Sequence, residues 1–203
     1  MIKTLIFDFG DVFINLDKIG AMQNALNLFK TSELSPEIIS CNQAYEQGHV
    51  SSKEFIAFYK KQLPDLSENE ILDSWNFLLR DFPIHRLEFL KQLASEKKYQ
   101  LILLSNTNAA HIKWVQEEVP FYEEFKAQFN AFYLSHEIQL RKPNHSIYQF
   151  VLDENNLDPK ACLFIDDTEE NIIAASQLGI HTWHINPEKD DIVNLFNVKK
   201  ELF

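Results

Sequence analysis

Cysteine, glycine and clustered basic residues are all scarce in these 203 residues, and each shortage removes a class of protein. Only two cysteines occur, Cys41 and Cys162, far apart and without the Cys/His spacing of a metal site. That usage excludes a disulfide-stapled scaffold and suggests two structural thiols in a reducing compartment. Four glycines and seven prolines are too few for a disordered or low-complexity chain. No lysine- or arginine-rich run occurs, and 30 acidic against 19 basic residues leave a formal charge of −11. Nucleic acid and anionic membrane are therefore not expected as partners. No apolar run approaches the length of a membrane span, and MIKTLIFDFG meets an aspartate too early to be a secretory signal. The expectation is a soluble cytoplasmic protein, a monomer or weak dimer. What the chain does have is apolar material, 45% hydrophobic and 13% aromatic, enough for one large domain or one domain with an insert. A chain so acidic needs locally supplied positive charge to hold an anionic ligand, and a metal ion supplies it.

The stretch TLIFDFGDV, Thr4 to Val12, organises the rest. A short apolar run bounded by a turn signal fits a strand buried on both faces of a parallel sheet. Asp8 ends that run, at the sheet edge where open α/β sheets bind ligands; the alternative is a turn or helix-cap aspartate. After FINLD the chain reads as helical to about Phe82. Ser35-Pro36-Glu37 opens a helix, Gly48 closes it, and Ser51 to Glu54 has the spacing of a capping box. Phe55, Phe58 and Tyr59 form an aromatic stripe suited to packing between helices. Beyond Pro83, strands at Gln100–Leu104, Ala131–Leu134, Cys162–Ile165 and Ile180–Ile185 alternate with helices, the one after Lys142 opened by Pro143. Such alternation predicts right-handed βαβ units: an α/β, Rossmann-like, doubly wound parallel sheet. The division expected is a core of residues 1–16 and 83–203 with an all-helical insert at 17–82.

Three of these strands end in polar groups: Asp8, Ser105-Asn106 and Asp166-Asp167. Lys142 in LRKPN joins them from a loop. Each has a bland reading by itself, Ser105-Asn106-Thr107 and Asp166-Asp167-Thr168 as helix caps and Lys142 as a solvated lysine. A parallel sheet nevertheless gathers all its strand C-termini on one edge. Asp8, Asp166 and Asp167 at close range repel one another, and a hard divalent cation relieves that conflict. Carboxylate and water ligands suit Mg²⁺, which commonly recruits phosphate. Ser105, nearby backbone N–H groups and Lys142 are the candidate phosphate ligands. Asp8 is then placed to attack phosphorus as a nucleophile.

These segments carry a resemblance. FDFGDV with Asp8, LLSNTN with Ser105, RKP with Lys142 and FIDDTEEN with Asp166, Asp167 and Asn171 stand in the order of the haloacid dehalogenase superfamily, with the 17–82 insert similar to its helical cap. YEQGHVSSKEF, LSNTN and RKPNHSIY resemble the branch that holds bacterial α-glucose-1-phosphate phosphatases. The resemblance implies a Mg²⁺-dependent phosphatase of a small phosphorylated metabolite, a sugar phosphate favoured, working through an aspartyl-phosphate on Asp8. It implies Ser105, Asn106 and Lys142 at the phosphate, and Asp8, the Gly10 carbonyl and Asp167 at the metal, with Asp166 ligating directly or through water. The alternatives are a metal-free haloacid dehalogenase or a catalytically impaired phospho-ligand-binding module. One position departs from the pattern: Gly10 stands where phosphatases of this superfamily usually place the aspartate that protonates the leaving group. Asp11, a water or a cap residue could take over. In the insert, YEQGH offers Glu46 or His49, beside Tyr45, as contacts to substrate hydroxyls.

Overall fold

A computed structural model describes residues 1–203. Its sheet consists of β1 (Thr4–Phe7), β2 (Gln100–Ser105), β3 (Ala131–Leu134), β4 (Cys162–Asp166) and β5 (His181–His184), all parallel in the order β3-β2-β1-β4-β5. The central strands are apolar on both faces because both are covered. Leu5, Phe7, Leu101, Leu103, Leu163 and Ile165 face one apolar cluster. Ile6, Ile102, Leu104, Cys162 and Phe164 face the other. The two edge strands are accordingly less buried. The chain reverses its direction of travel across the sheet between β1 and β4, and such a switch point opens a crevice at the strand C-termini.

Between β1 and β2 lie α1 (Lys18–Phe29), α2 (Pro36–Glu46), α3 (Ser52–Gln62), α4 (Glu68–Asn76) and α5 (Ile84–Glu96). The later helices are α6 (Ala109–Glu118), α7 (Tyr122–Lys126), α8 (Ser135–Ile138), α9 (His145–Glu154), α10 (Glu169–Gln177) and α11 (Leu195–Val198). Ser35, Ser51 and Ser67 cap α2, α3 and α4, the last two as full capping boxes. Ile38, Tyr45, Phe55, Tyr59 and Ile71 of these helices form their own apolar cluster, which takes in Ala110 of α6. The two chain crossings into and out of α1–α4 pair with each other: Leu16 bridges Leu79, Asn15 N donates to Asp81 O, and Asp17 N donates to Leu78 O.

Local details differ from the sequence reading where tertiary contacts outrank local signals. The helix after Lys142 begins at His145, not at Pro143. Asn108, not Ser105 or Asn106, caps α6 by accepting from His111 N at 3.0 Å, and the Thr168 side chain makes no cap bond to α10. The short helices α7, α8 and α11, at five residues or fewer, carry too little periodicity to be read in advance.

Candidate active site

The register fixes the site. Phe7 pairs with Ile165 across β1 and β4, and Asp8 N continues that ladder to Ile165 O at 2.9 Å, so Asp8 and Asp166 stand level at the crevice. Lys142 enters from the loop before α9 and bridges them: its Nζ lies 2.9 Å from Asp8 Oδ1 and 2.7 Å from Asp166 Oδ2. An ammonium this deeply buried is tolerable only because it is paired twice. Burial works against its charge, but Asp166 and then Asp8 outweigh burial and raise its pKa. Asp8 shows the opposite balance. Burial comes first, Lys142 opposes it, Asp166 adds repulsion, and the carboxyl is pushed up to about 7. Its Oδ1 accepts from Phe9 N at 2.7 Å and from Lys142, which leaves Oδ2 without a hydrogen bond.

Asp166 is saturated. Oδ1 accepts from Thr168 N at 2.8 Å and from Asn171 Nδ2, and Oδ2 accepts from Lys142 and from Asn171 Nδ2, both Asn171 distances being 3.0 Å. Asp167 points differently, toward the Lys18 ammonium, which also sits 2.9 Å from Asp11 Oδ2. Burial raises the Asp167 pKa and Lys18 counters it in part. Carboxylate oxygens of Asp8, Asp166 and Asp167 lie within 4.8 Å of one another. With Asp11 there are four carboxylates against two ammonium groups, an excess that one divalent cation neutralises. Oxygen-only donors beside a glycine carbonyl form a hard-cation donor set, so these residues fit Mg²⁺.

Several expected roles need correcting. The Asn106 side chain is not free for a phosphate: Nδ2 donates to Lys142 O at 2.9 Å and Oδ1 accepts from Lys142 N at 3.0 Å, so it clamps the lysine's backbone. Ser105 is buried at the end of β2, and its hydroxyl makes only a long 3.4 Å contact to Asn106 O. Asp11 is fully engaged, with Oδ1 accepting from Leu16 N at 2.9 Å and Oδ2 on Lys18. Tyr45 is core, stacked on Phe55 at 4.2 Å, with its hydroxyl accepting from Ala110 N. His49 is exposed. Glu46 alone of the YEQGH group approaches the site, where Oε2 accepts from Arg141 Nε at 2.8 Å. Lys18 lies outside every motif, and Arg141 and Asn108 sit within RKP and LLSNTN without a role assigned to them there; all three are placed by contacts 33 to 149 positions away.

Comparison with known proteins agrees with this geometry. The family model for haloacid dehalogenase-like hydrolases matches residues 2–179, and the chain belongs to that family. It is therefore a hydrolase. A D-ribitol-5-phosphate phosphatase from Bacteroides thetaiotaomicron is 28% identical over 197 residues, 90% of this chain and 91% of that protein. A HAD family enzyme from the same organism, solved as a magnesium complex, is 34% identical with a TM-score of 0.84, covering 96% of this chain and 98% of that one. The same enzyme solved with magnesium and inorganic phosphate gives 33% and 0.79, with 94% and 97% covered.

Proposed function

We propose that the protein is a Mg²⁺-dependent phosphatase of a small phosphate monoester, acting through an aspartyl-phosphate on Asp8. The observation that carries this reading is the level pair Asp8–Asp166 joined by the buried Lys142, with Asp8 Oδ2 left without a hydrogen bond. Asp8, Asp167 and the Gly10 carbonyl are the proposed direct ligands, and Asp166, its oxygens already filled, holds Lys142 in place beside them. A Mg²⁺ held by these residues would supply charge neutralisation, favouring the ionised form of Asp8 and polarising the phosphoryl oxygens. Asp8 Oδ2 forms a bond to phosphorus as the bond to the organic oxygen breaks. Lys142 and the Ser105 hydroxyl bind the phosphoryl oxygens through that change. Because Asp11 already accepts at both oxygens, a water gives the departing oxygen its proton. A second water then attacks phosphorus and gives its proton to the hydroxide left by the first, releasing phosphate and restoring the Asp8 carboxylate.

Residues 17–82 are the proposed cap, excluding bulk water and meeting the organic group through Glu46. Every residue in this scheme comes from one chain. The ribitol-5-phosphate relative supports a phosphate ester of a small alcohol as the substrate class. A dehalogenase, which needs no metal, leaves the carboxylate cluster unexplained. The test is phosphate release from aryl, alkyl and sugar phosphates with Mg²⁺ or with chelator. We expect turnover with Mg²⁺, none with chelator, and a loss of about a thousandfold or more in Asp8→Asn, as for removal of a nucleophile. Phosphate binding without turnover on any ester would instead support the binding-module reading.

A further inference from the structure

A cavity of about 230 Å³ lies between α1, α2 and α4, and it adjoins the acidic site. Two residues belong to both. Lys18 lines the cavity and pairs with Asp11 and Asp167, and Glu46 lines it and pairs with Arg141, the neighbour of Lys142. The remaining wall is mostly apolar, with Ala21, Ala25, Leu28, Leu34, Ile71 and Trp75 contributing. Helix α1 has no buried residue along its twelve positions. Its side chains are at most half-buried: Phe29 packs edge-on against Tyr59, while Ala21 and Ala25 line the cavity.

The polar groups in the wall are largely spoken for. Tyr59 donates its hydroxyl to Asn42 Oδ1 at 2.8 Å, and Ser74 Oγ accepts from Asn24 Nδ2 at 2.9 Å. Trp75 Nε1 donates to Asn108 Oδ1 at 3.2 Å. His111 Nδ1 accepts from Asn108 Nδ2 and its Nε2 donates to Trp75 O. What remains is the third Lys18 N–H, the two Asn42 Nδ2 protons, the Ser74 hydroxyl proton and one oxygen of Glu46. A ribityl chain buries four free hydroxyls, each a donor and an acceptor. The groups that remain cannot match all of these donors and acceptors, and a hydroxyl buried without a partner weakens binding, so the cavity discriminates against the polyol that the relative's name suggests.

We infer that the organic part of the substrate is apolar, an alkyl or arylalkyl group seated among α1, α2 and α4 while its phosphate meets Asp8. This rests on the phosphatase reading above. A cavity of about 150 Å³ holds benzene, so on the order of nine carbons fill this one.

The test uses the Mg²⁺-loaded protein and n-alkyl phosphates from methyl to decyl, beside ribitol 5-phosphate and glucose 6-phosphate. We expect kcat/KM to rise about fourfold per methylene, the value of burying one CH₂, and to level off near nine carbons. Ala25→Phe fills the space from a helix with no buried residues, and should cut the octyl-to-methyl ratio of kcat/KM at least tenfold with thermal stability retained. Calorimetric binding of alkylphosphonates of the same lengths reads the cavity without turnover. If no ester is hydrolysed but phosphonate Kd falls with length, the phosphatase reading fails and the apolar site stands. Length-independent kcat/KM and Kd, or ribitol 5-phosphate preferred tenfold over hexyl phosphate, would overturn the inference.

Discussion

At position 10 a hydrogen stands where the superfamily's phosphatases usually have a carboxylate, and the surroundings show how nearly a side chain fits. A Cβ on Gly10 would meet Leu16 Cδ1 at 2.6 Å and nothing else so close. That methyl is the far end of a half-buried side chain and can rotate away. Gly10→Asp should therefore fold and place an acid at the usual position. General acids contribute about 10²–10⁴-fold, chiefly where the leaving group is poor. The expected outcome is a rise of about a hundredfold in kcat for alkyl phosphates with little change for p-nitrophenyl phosphate, measured as the ratio of the two. An unchanged ratio would mean that the proton already arrives efficiently by another route. Asp11 next door is not that route, being held by Leu16 N and Lys18 in a left-handed conformation (φ 55°) that aspartate tolerates.

Between elements, the decisive contact is the turn after α2 against α8. Gly48 has φ +68°, and a Cβ there would run into the His136 carbonyl oxygen. Backbone cannot swing aside as a side chain does. The same turn brings Glu46 O to the Ser135 hydroxyl at 2.6 Å and Glu46 Oε2 to Arg141. Ser135 Oγ in turn accepts from Thr107 N. These bonds seat the α1–α4 helices on the loops that carry Ser105 and Lys142. Gly48→Ala combines left-handed strain, about 1–2 kcal/mol, with this clash, so we expect a loss of about 2 kcal/mol or more. Urea unfolding should show it as a lower midpoint, and kcat/KM should fall as Glu46 is displaced. The glycine was legible as a helix stop. Its role as a docking point was not, since a turn carries no information about which carbonyl will lie above it.

For the whole molecule, a buried histidine makes stability depend on pH. His111 joins α6 to α4 through Trp75 O, is stacked on the Trp75 ring at 5.2 Å, and has little room for charge. Burial lowers its pKa from 6.5 to about 4. Below pH 6.5 the unfolded chain takes up a proton there that the folded chain refuses. Its contribution is therefore complete above about pH 6.5 and is lost as pH falls toward about 4, by at most about 3 kcal/mol. Folding free energies of the wild type and of His111→Gln, measured from pH 7 to pH 4, should converge by that order as the pH drops. Parallel curves would show that the ring is not held neutral.

Periodicity and strand-end chemistry in the sequence alone determined the parallel α/β plan, the helical stretch after β1, and the convergence of Asp8, Lys142 and Asp166-Asp167. These are properties of local pattern and of a topology that sends every strand C-terminus to one edge. Tertiary structure decided what each group there is free to do. It filled all of Asp166, turned Asn106 into a clamp on the Lys142 backbone, withdrew Tyr45 into the core, exposed His49 and brought Lys18 against Asp167. Such outcomes depend on hydrogen-bond partners that are distant in the chain, and residue type and spacing do not encode those partners.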